Sequence, residues 1–225
     1  MALPVNLSGW TAEGGGNWVV AGDQNSVRQT VNGNPTVFHN GTASQGTALS
    51  GTITVETRND DDFVGFVLGY DAGELTSASA DYWLIDWKQG NQGAGAAGLA
   101  LSHVTGNPAT TAVDDFWNHN GVVSEAVRGT TLGATGWADL TTYTFDLVFT
   151  ASLIEVYVNG ALEISHAGTF GNGGFGFYNY SQDSVRYAGI TQEQLPGVPL
   201  PAGAPLLLGG LGLLGLLRAR RSKTA

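Results

Sequence analysis

Short apolar runs, alternating or continuous, recur along the chain between Gly, Asn and Asp residues: Trp18 to Val20, Gly51 to Thr57, Phe63 to Tyr70, Tyr82 to Trp87, Leu99 to Val104, Tyr143 to Phe149, Ile154 to Val158, Phe175 to Tyr180 and Ser184 to Ile190. Runs of this length and period predict β-strands. Ile154-Glu-Val-Tyr-Val158 and Ala161-Leu-Glu-Ile164 are joined by Asn159-Gly160, the pair that supplies the two positive φ angles of a type I′ turn, so a hairpin is predicted there. No helical stretch offers the crossover a parallel sheet needs. The expected fold class is all-β: two packed antiparallel sheets in a β-sandwich of jelly-roll type, with Gly93-Ala-Gly-Ala-Ala-Gly98 as a rim loop. No linker or repeat interrupts Val5 to Gln192, so one domain is expected over residues 1–195, followed by a separate tail over residues 196–225.

Composition agrees with this division. The 225 residues include 34 glycines, only 12% are charged, and helix-favouring runs of Ala, Leu, Glu and Lys are missing from the body. Net charge is −10, yet four of the nine basic residues, Arg218, Arg220, Arg221 and Lys223, fall in the last eight positions, while no acid follows Glu193. The body therefore carries five basic residues against nineteen acidic ones, near −14. Such a surface repels nucleic acid and favours cations or a neutral polymer. The lack of cysteine removes disulfides, thiolate metal sites and a cysteine nucleophile from consideration.

The two ends differ in kind. Met1 to Ser8 has neither the basic start nor the apolar stretch of an export signal, and the expectation is that such a signal was trimmed or lies upstream of a misplaced start. At the other end Val198, Pro199, Leu200, Pro201 and Ala202 lead through Gly-Ala-Pro into Leu206 to Leu217, made only of Leu and Gly, and then into the basic Arg218 to Lys223. Ala202 to Leu217 would span roughly 24 Å as a helix, short of the about 20 apolar residues of a permanent membrane crossing. Its basic end should stay cytoplasmic, and Leu and Gly on every side leave no polar face for a buried amphipathic helix. The segment resembles the VPLPA variety of PEP-CTERM sorting signals. That resemblance implies a short hydrophobic helix held transiently in the inner membrane, processing by an exosortase-type enzyme, and delivery to the cell surface or extracellular matrix.

A second resemblance spans nearly all of Val5 to Ile190. Asn59-Asp-Asp-Asp-Phe-Val-Gly-Phe-Val-Leu-Gly-Tyr70, Tyr82-Trp-Leu-Ile-Asp-Trp-Lys-Gln89, Phe116-Trp-Asn-His-Asn-Gly121, Gly136-Trp-Ala-Asp139 and Gly173-Gly-Phe-Gly-Phe-Tyr-Asn-Tyr-Ser-Gln182 follow the order and spacing of the thrombospondin C-terminal domain. The resemblance implies a lectin-like sandwich of the concanavalin or laminin-G kind that binds calcium and acts in adhesion to a glycan or extracellular matrix polymer. The calcium-rich repeats that precede this domain in animal thrombospondins do not occur in this sequence, so ligands from them are not carried over. A methionine-like position before Trp-Lys-Gln is Asp86 here.

Candidate chemistry centres on Asp60, Asp61 and Asp62. Three consecutive carboxylates repel one another unless solvated or neutralised, and calcium, which takes six to eight oxygen ligands, suits them together with Asn59; a solvated acidic turn is the alternative. Asp71 is a weaker helper, and Asp114 and Asp115 read as a solvated turn. Strand alternation puts Trp83 and Trp87 on one face with Asp81 and Gln89, and Tyr82, Asp86 and Lys88 on the other. The two tryptophans suit a core better than a sugar platform. Trp117 and Trp137 should hold loops against the sandwich. His119 has no partner beside it in sequence that would make it a general base, and His39, His103 and His166 form no metal-ligand spacing.

A secreted glycoside hydrolase acting on polysaccharide is the rival class, and it needs two carboxylates across a scissile bond. Glu155 and Glu163 flank the hairpin but alternate with apolar residues as an outward face does. No Gly-x-Ser-x-Gly elbow or phosphate-binding glycine loop occurs, and a non-catalytic, calcium-dependent binding module is the expected function.

Overall fold

The computed structural model describes residues 2–107 and 114–196. Its strands are β1 (Leu3–Pro4), β2 (Thr11–Gly14), β3 (Trp18–Val20), β4 (Ser26–Gln29), β5 (Thr36–His39), β6 (Thr47–Val55), β7 (Phe63–Tyr70), β8 (Asp81–Lys88), β9 (Gly98–Thr105), β10 (Val123–Arg128), β11 (Thr142–Phe149), β12 (Leu153–Val158), β13 (Ala161–Ala167), β14 (Gly174–Tyr180) and β15 (Val185–Gln194), with a short α-helix, α1 (Asp114–Asn118), and 3-10 turns at Leu7–Gly9 and Glu74–Thr76. They form two antiparallel sheets. The first runs β13-β12-β11-β6-β15-β4-β3, with β1 also paired to β15; the second runs β10-β9-β8-β7-β14-β5-β2. The all-β sandwich expected from the strand pattern is what forms. Asn159 and Gly160 take φ of 50° and 77°, as the type I′ turn demands.

Burial explains why the apolar runs differ in texture. On β11 Phe145, Leu147 and Phe149 are buried while Thr144, Asp146 and Val148 between them are exposed or half-exposed, because the outer face of the first sheet is open. On β7 all eight residues are buried. Val64, Phe66 and Leu68 point into the core between the sheets with Phe145, Leu147, Phe177 and Tyr187. Phe63, Val67 and Tyr70 point the other way, into a second apolar layer with Leu75, Ala80, Tyr82, Phe116, Val123 and Tyr178. The segments after β7 and around α1 thus seal the outer face of the second sheet.

Two devices shape the first sheet. β15 changes register between Ala188 and Thr191, where Gly189 has φ of 63°; this bulge turns Ile190 fully inward. At the far edge, β13 is closed by a folded-back loop: Thr130 N donates to Glu163 O at 2.8 Å, and the Glu163 carboxylate accepts from Thr131 N at 2.8 Å and Leu132 N at 3.0 Å. Glu163 is therefore buried, contrary to the outward placement expected from alternation. The register shift between Val156 and Tyr157 and the loop over the edge account for the difference. Glu155 stays half-exposed.

A buried hydroxyl helps tie the two sheets. Tyr187 Oη, fully buried, crosses the core to lie 2.9 Å from Tyr178 O, 3.1 Å from Asn179 Oδ1 and 3.2 Å from both Gly65 N and Gly65 O. Its single proton goes to one acceptor while it accepts from Gly65 N. Gly65 cannot carry a side chain, since a Cβ would lie 2.0 Å from Ile85 O.

Candidate functional site

The entrance to β7 is where acid residues converge. Asp60, Asp61 and Asp62 each present a carboxylate oxygen within 4.8 Å of the others, the single such group of three or more acid or imidazole ligands among the described residues. Backbone bonds hold the loop in shape: Asp61 O accepts from Gln89 N at 3.1 Å and Gly90 N at 3.4 Å, Asp62 N donates to Gln182 Oε1 at 3.1 Å, and Trp137 Nε1 donates to Asp62 O at 3.1 Å. Asn32 Nδ2 donates to Asp60 Oδ2. Asn59 bonds through its own backbone N–H to Thr57 Oγ1 at 3.2 Å. Burial, then the neighbouring Asp62 charge, push the Asp60 carboxyl up to about 6.

Beneath this loop sits a buried ammonium. Lys88 is fully buried, with Nζ 2.5 Å from Asp62 Oδ1, 3.7 Å from Asp61 Oδ1 and 3.2 Å from both Asp61 O and Gln92 Oε1. The Phe63 and Trp117 rings lie 5.2 and 4.6 Å from it, close enough for cation–π attraction. A lysine on the apolar side of a buried strand is tolerated only when paired this way. The alternation of β8 placed Lys88 and Asp86 on one face, but not their partners, which arrive from loops distant in sequence.

Asp86 belongs to a second network under the sealed face. His119 Nε2 lies 2.9 Å from Asp86 Oδ2 and His119 Nδ1 lies 3.1 Å from Glu125 Oε2; Arg128 Nη2 closes the row 2.8 Å from Glu125 Oε2. Burial pulls the His119 imidazolium down, but the Asp86 and Glu125 carboxylates outweigh it and hold its pKa up at about 10. The hydrogen bond from His119, with Arg128 behind it, brings Glu125 down to about 2. A histidine held charged at neutral pH between two carboxylates serves as a structural cation rather than a general base. His119 thus has partners that its sequence neighbours did not disclose.

Other expected positions fall elsewhere. Asp71 is at the opposite end of β7 from Asp62, about 25 Å away for a strand of this length, so it is no helper to the acidic loop. Asp115 is buried, not a solvated turn: its Oδ2 accepts from Val122 N at 3.3 Å. Trp87 is buried and Trp83 packs half-buried on the core, as core residues rather than a sugar platform. His103 pairs with Asp81 at 2.6 Å and His39 with Glu13 at 3.2 Å, while His166 packs beside Trp83. Trp117 and Trp137 do pin loops, through Gln92 O at 3.0 Å and through Asp62 O and Trp87 O. The sorting-motif positions Val198 to Ala202 and the basic Arg218, Arg220, Arg221 and Lys223 lie outside the described residues.

Comparison with known proteins gives this architecture its relatives. The family model for the thrombospondin C-terminal region matches residues 14–194. Thrombospondin-1 of Xenopus laevis is 28% identical over 200 residues, which cover 79% of this chain and 16% of that protein, so the chain corresponds to a small part of its relative. Among solved structures, a carbohydrate-binding module, CBM66 from Bacillus subtilis, superposes with a TM-score of 0.59 at 14% identity, covering 84% of this chain and 97% of that one. The exoplasmic/lumenal domain of VIP36, in a form bound to Ca2+ and Man3GlcNAc, gives 0.56 at 12% identity over 89% and 91%. The alginate lyase Aly36B, in complex with an alginate tetrasaccharide, gives 0.52 at 13% identity over 78% and 84%. At these identities the structural likeness is one of fold. The match to the family model across the sandwich, from β2 to the end of β15, shows that this chain belongs to the thrombospondin C-terminal region family.

Proposed function

We propose that the domain is an exported, lectin-like module that binds a glycan or matrix polymer, and that a calcium ion at Asp60, Asp61 and Asp62 organises its binding rim. The observation that carries the cation is the carboxylate cluster itself: three acids lie together where the internal Lys88 ammonium reaches only Asp61 and Asp62, and burial, then the Asp62 charge, hold Asp60 up at about 6. The donor set fits a hard cation, since carboxylate oxygens are what calcium takes. Asp60 and Asp61 would hold the ion, Asp62 would divide its oxygens between the ion and Lys88, and Asn59 is the adjoining candidate. Bound there, calcium would supply charge neutralisation and fix the loop. Family membership and a fold shared with carbohydrate-binding proteins support a glycan as partner. Because the outer face of the second sheet is filled by the protein's own apolar layer, the contacts are assigned to the loop rim. An enzymatic role would need two carboxylates facing each other across an open groove, and no residues of this chain are assigned to one.

The deciding measurement is a thermal melt with millimolar calcium and with chelator, on the native domain and on Asp61→Ala. Saturation to a hundredfold over Kd adds about 2.7 kcal/mol, a rise of roughly 5–10 °C for a domain of this size, and the variant should lose it. Equal melting temperatures in both conditions would remove calcium from the proposal, and polysaccharide binding that persists in chelator would do the same for its role in recognition.

The segment from Val198 to Lys223 is proposed as the sorting signal, taken by an exosortase-type enzyme after transient insertion in the inner membrane. Mass spectrometry of surface-released protein should find a new C-terminus near Val198 to Ala202. Replacing Pro199 and Pro201 with alanine should leave uncut chain in the inner membrane. Surface protein that retains Lys223 would end this reading.

A further inference from the structure

Five Asn-Gly pairs occur in the chain, at Asn32, Asn40, Asn120, Asn159 and Asn172. In such a pair the unhindered glycine nitrogen can attack the asparagine Cγ, provided the side chain is free to swing onto it. Four of the five are held. Asn40 Oδ1 accepts from Phe175 N at 3.1 Å and its Nδ2 donates to Ser44 Oγ at 3.0 Å. Asn159 Oδ1 accepts from Thr144 N at 2.9 Å, Asn172 Oδ1 accepts from Gln45 N at 3.2 Å, and Asn32 Nδ2 donates to Asp60. Asn120 is exposed and, unlike the other four, has no side-chain hydrogen bond within the described structure; the Gly121 N–H makes none either. Gly121 takes φ of 64°, and a Cβ there would lie 2.5 Å from Asp115 Oδ1, so the position favours glycine.

From this difference we infer that Asn120-Gly121 is a spontaneous modification site, the place where the folded chain deamidates first. Gly121 N bonds to Asn120 Cγ and gives up its proton, the Cγ–Nδ2 bond breaks, and ammonia leaves a succinimide. Water then opens the ring at either carbonyl to give aspartate or isoaspartate, so the net change is one amide and one water converted to one carboxylate and ammonium. The new charge, or in the isoaspartyl product the lengthened backbone, falls on the residue next to His119, in the turn that packs on Asp115. Deamidation therefore places the change one residue from His119, the centre of the Asp86–His119–Glu125 network.

Peptide mapping by mass spectrometry of the full chain incubated at mildly alkaline pH tests this, with a parallel sample in denaturant. In the folded protein Asn120 should convert several-fold faster than each of the other four, and in denaturant the five should converge. Folded protein in which Asn159 or Asn172 leads, or in which all five convert together, would overturn the inference. So would a lead for Asn120 that persists undiminished in denaturant, since local sequence and not the hydrogen bonds would then set the order. An Asn120→Gln variant, which keeps the amide, should remove the leading site without accelerating the rest.

Discussion

Replacing Asp62 with alanine should lower the unfolding free energy by about 3–5 kcal/mol, because it strands the Lys88 ammonium in a site closed to water. Lys88 has no exposed side-chain surface and Asp62 only 4%, so solvent cannot replace the lost carboxylate. Asp61 Oδ1, at 3.7 Å and itself 42% exposed, is too distant and too hydrated to take over. Lys88→Met alone should cost less, since Asp62 keeps the Gln182 and Trp137 bonds to its backbone and lies next to the rim. The double variant Asp62→Leu with Lys88→Met should recover much of the loss, for apolar groups of similar volume fill such a site without a desolvation penalty. Urea melts in the presence of chelator read all three, with any metal contribution excluded. A loss below about 1 kcal/mol for Asp62→Ala, the level of an exposed ion pair, would mean that the ammonium escapes to water.

Stability should also fall as the medium is made alkaline, by an amount traceable to His119. Its pKa is held at about 10 in the folded state against 6.5 for the free side chain. A raised pKa contributes stability that is complete below the unfolded value and is lost as pH climbs through the folded one, so the decline runs from about pH 6.5 to 10. Every tenfold gain in proton affinity on folding corresponds to about 1.4 kcal/mol, making the effect on the order of a few kcal/mol. Glu125 works in the opposite sense: held at about 2 against 4.5, it contributes above its unfolded value and is lost as acid brings the pH down toward 2. Between them the pair predicts a plateau from about pH 4.5 to 6.5. Denaturant midpoints for the native domain and His119→Asn across this range supply the check. The variant should be weaker at pH 6 and nearly parallel to the pH axis above it; two curves of equal slope would show that other groups carry the alkaline loss.

How much of this was legible in the residues depends on how local the cause is. β7, β8 and β14 announce themselves as continuous apolar runs because both of their faces are covered, and the Asn159-Gly160 hairpin because two adjacent residues decide it. β2, β4, β5 and β10 are short or polar and escaped notice. Asp115 and Glu163 look solvated in sequence because strands and turns are read as if their exposed side were empty. Each is in fact buried by a neighbouring segment, Val122 in one case and Thr131 with Leu132 in the other. The acidic run at Asp60 to Asp62 was visible; the Lys88 ammonium beneath it was not, since it meets Asp62 across 26 positions of chain and Trp117 from a separate segment. His119 likewise meets Asp86 across 33 positions of chain, a distance that spacing alone cannot bridge.

The loop that folds over β13 through Glu163 bears on how these domains behave at high concentration. Every open sheet ends in strands whose unpaired amides invite a neighbour's backbone. Here Glu163 of β13 accepts from loop amides of its own chain, β3 is three residues long, β10 is kinked by a register shift between Glu125 and Val127, and β2 stops at Gly14 with φ of 81°. None offers a long, flat template. At high concentration the domains can therefore remain separate sandwiches, their strongly acidic bodies repelling one another and the described sheet margins offering short or irregular edges to a neighbour.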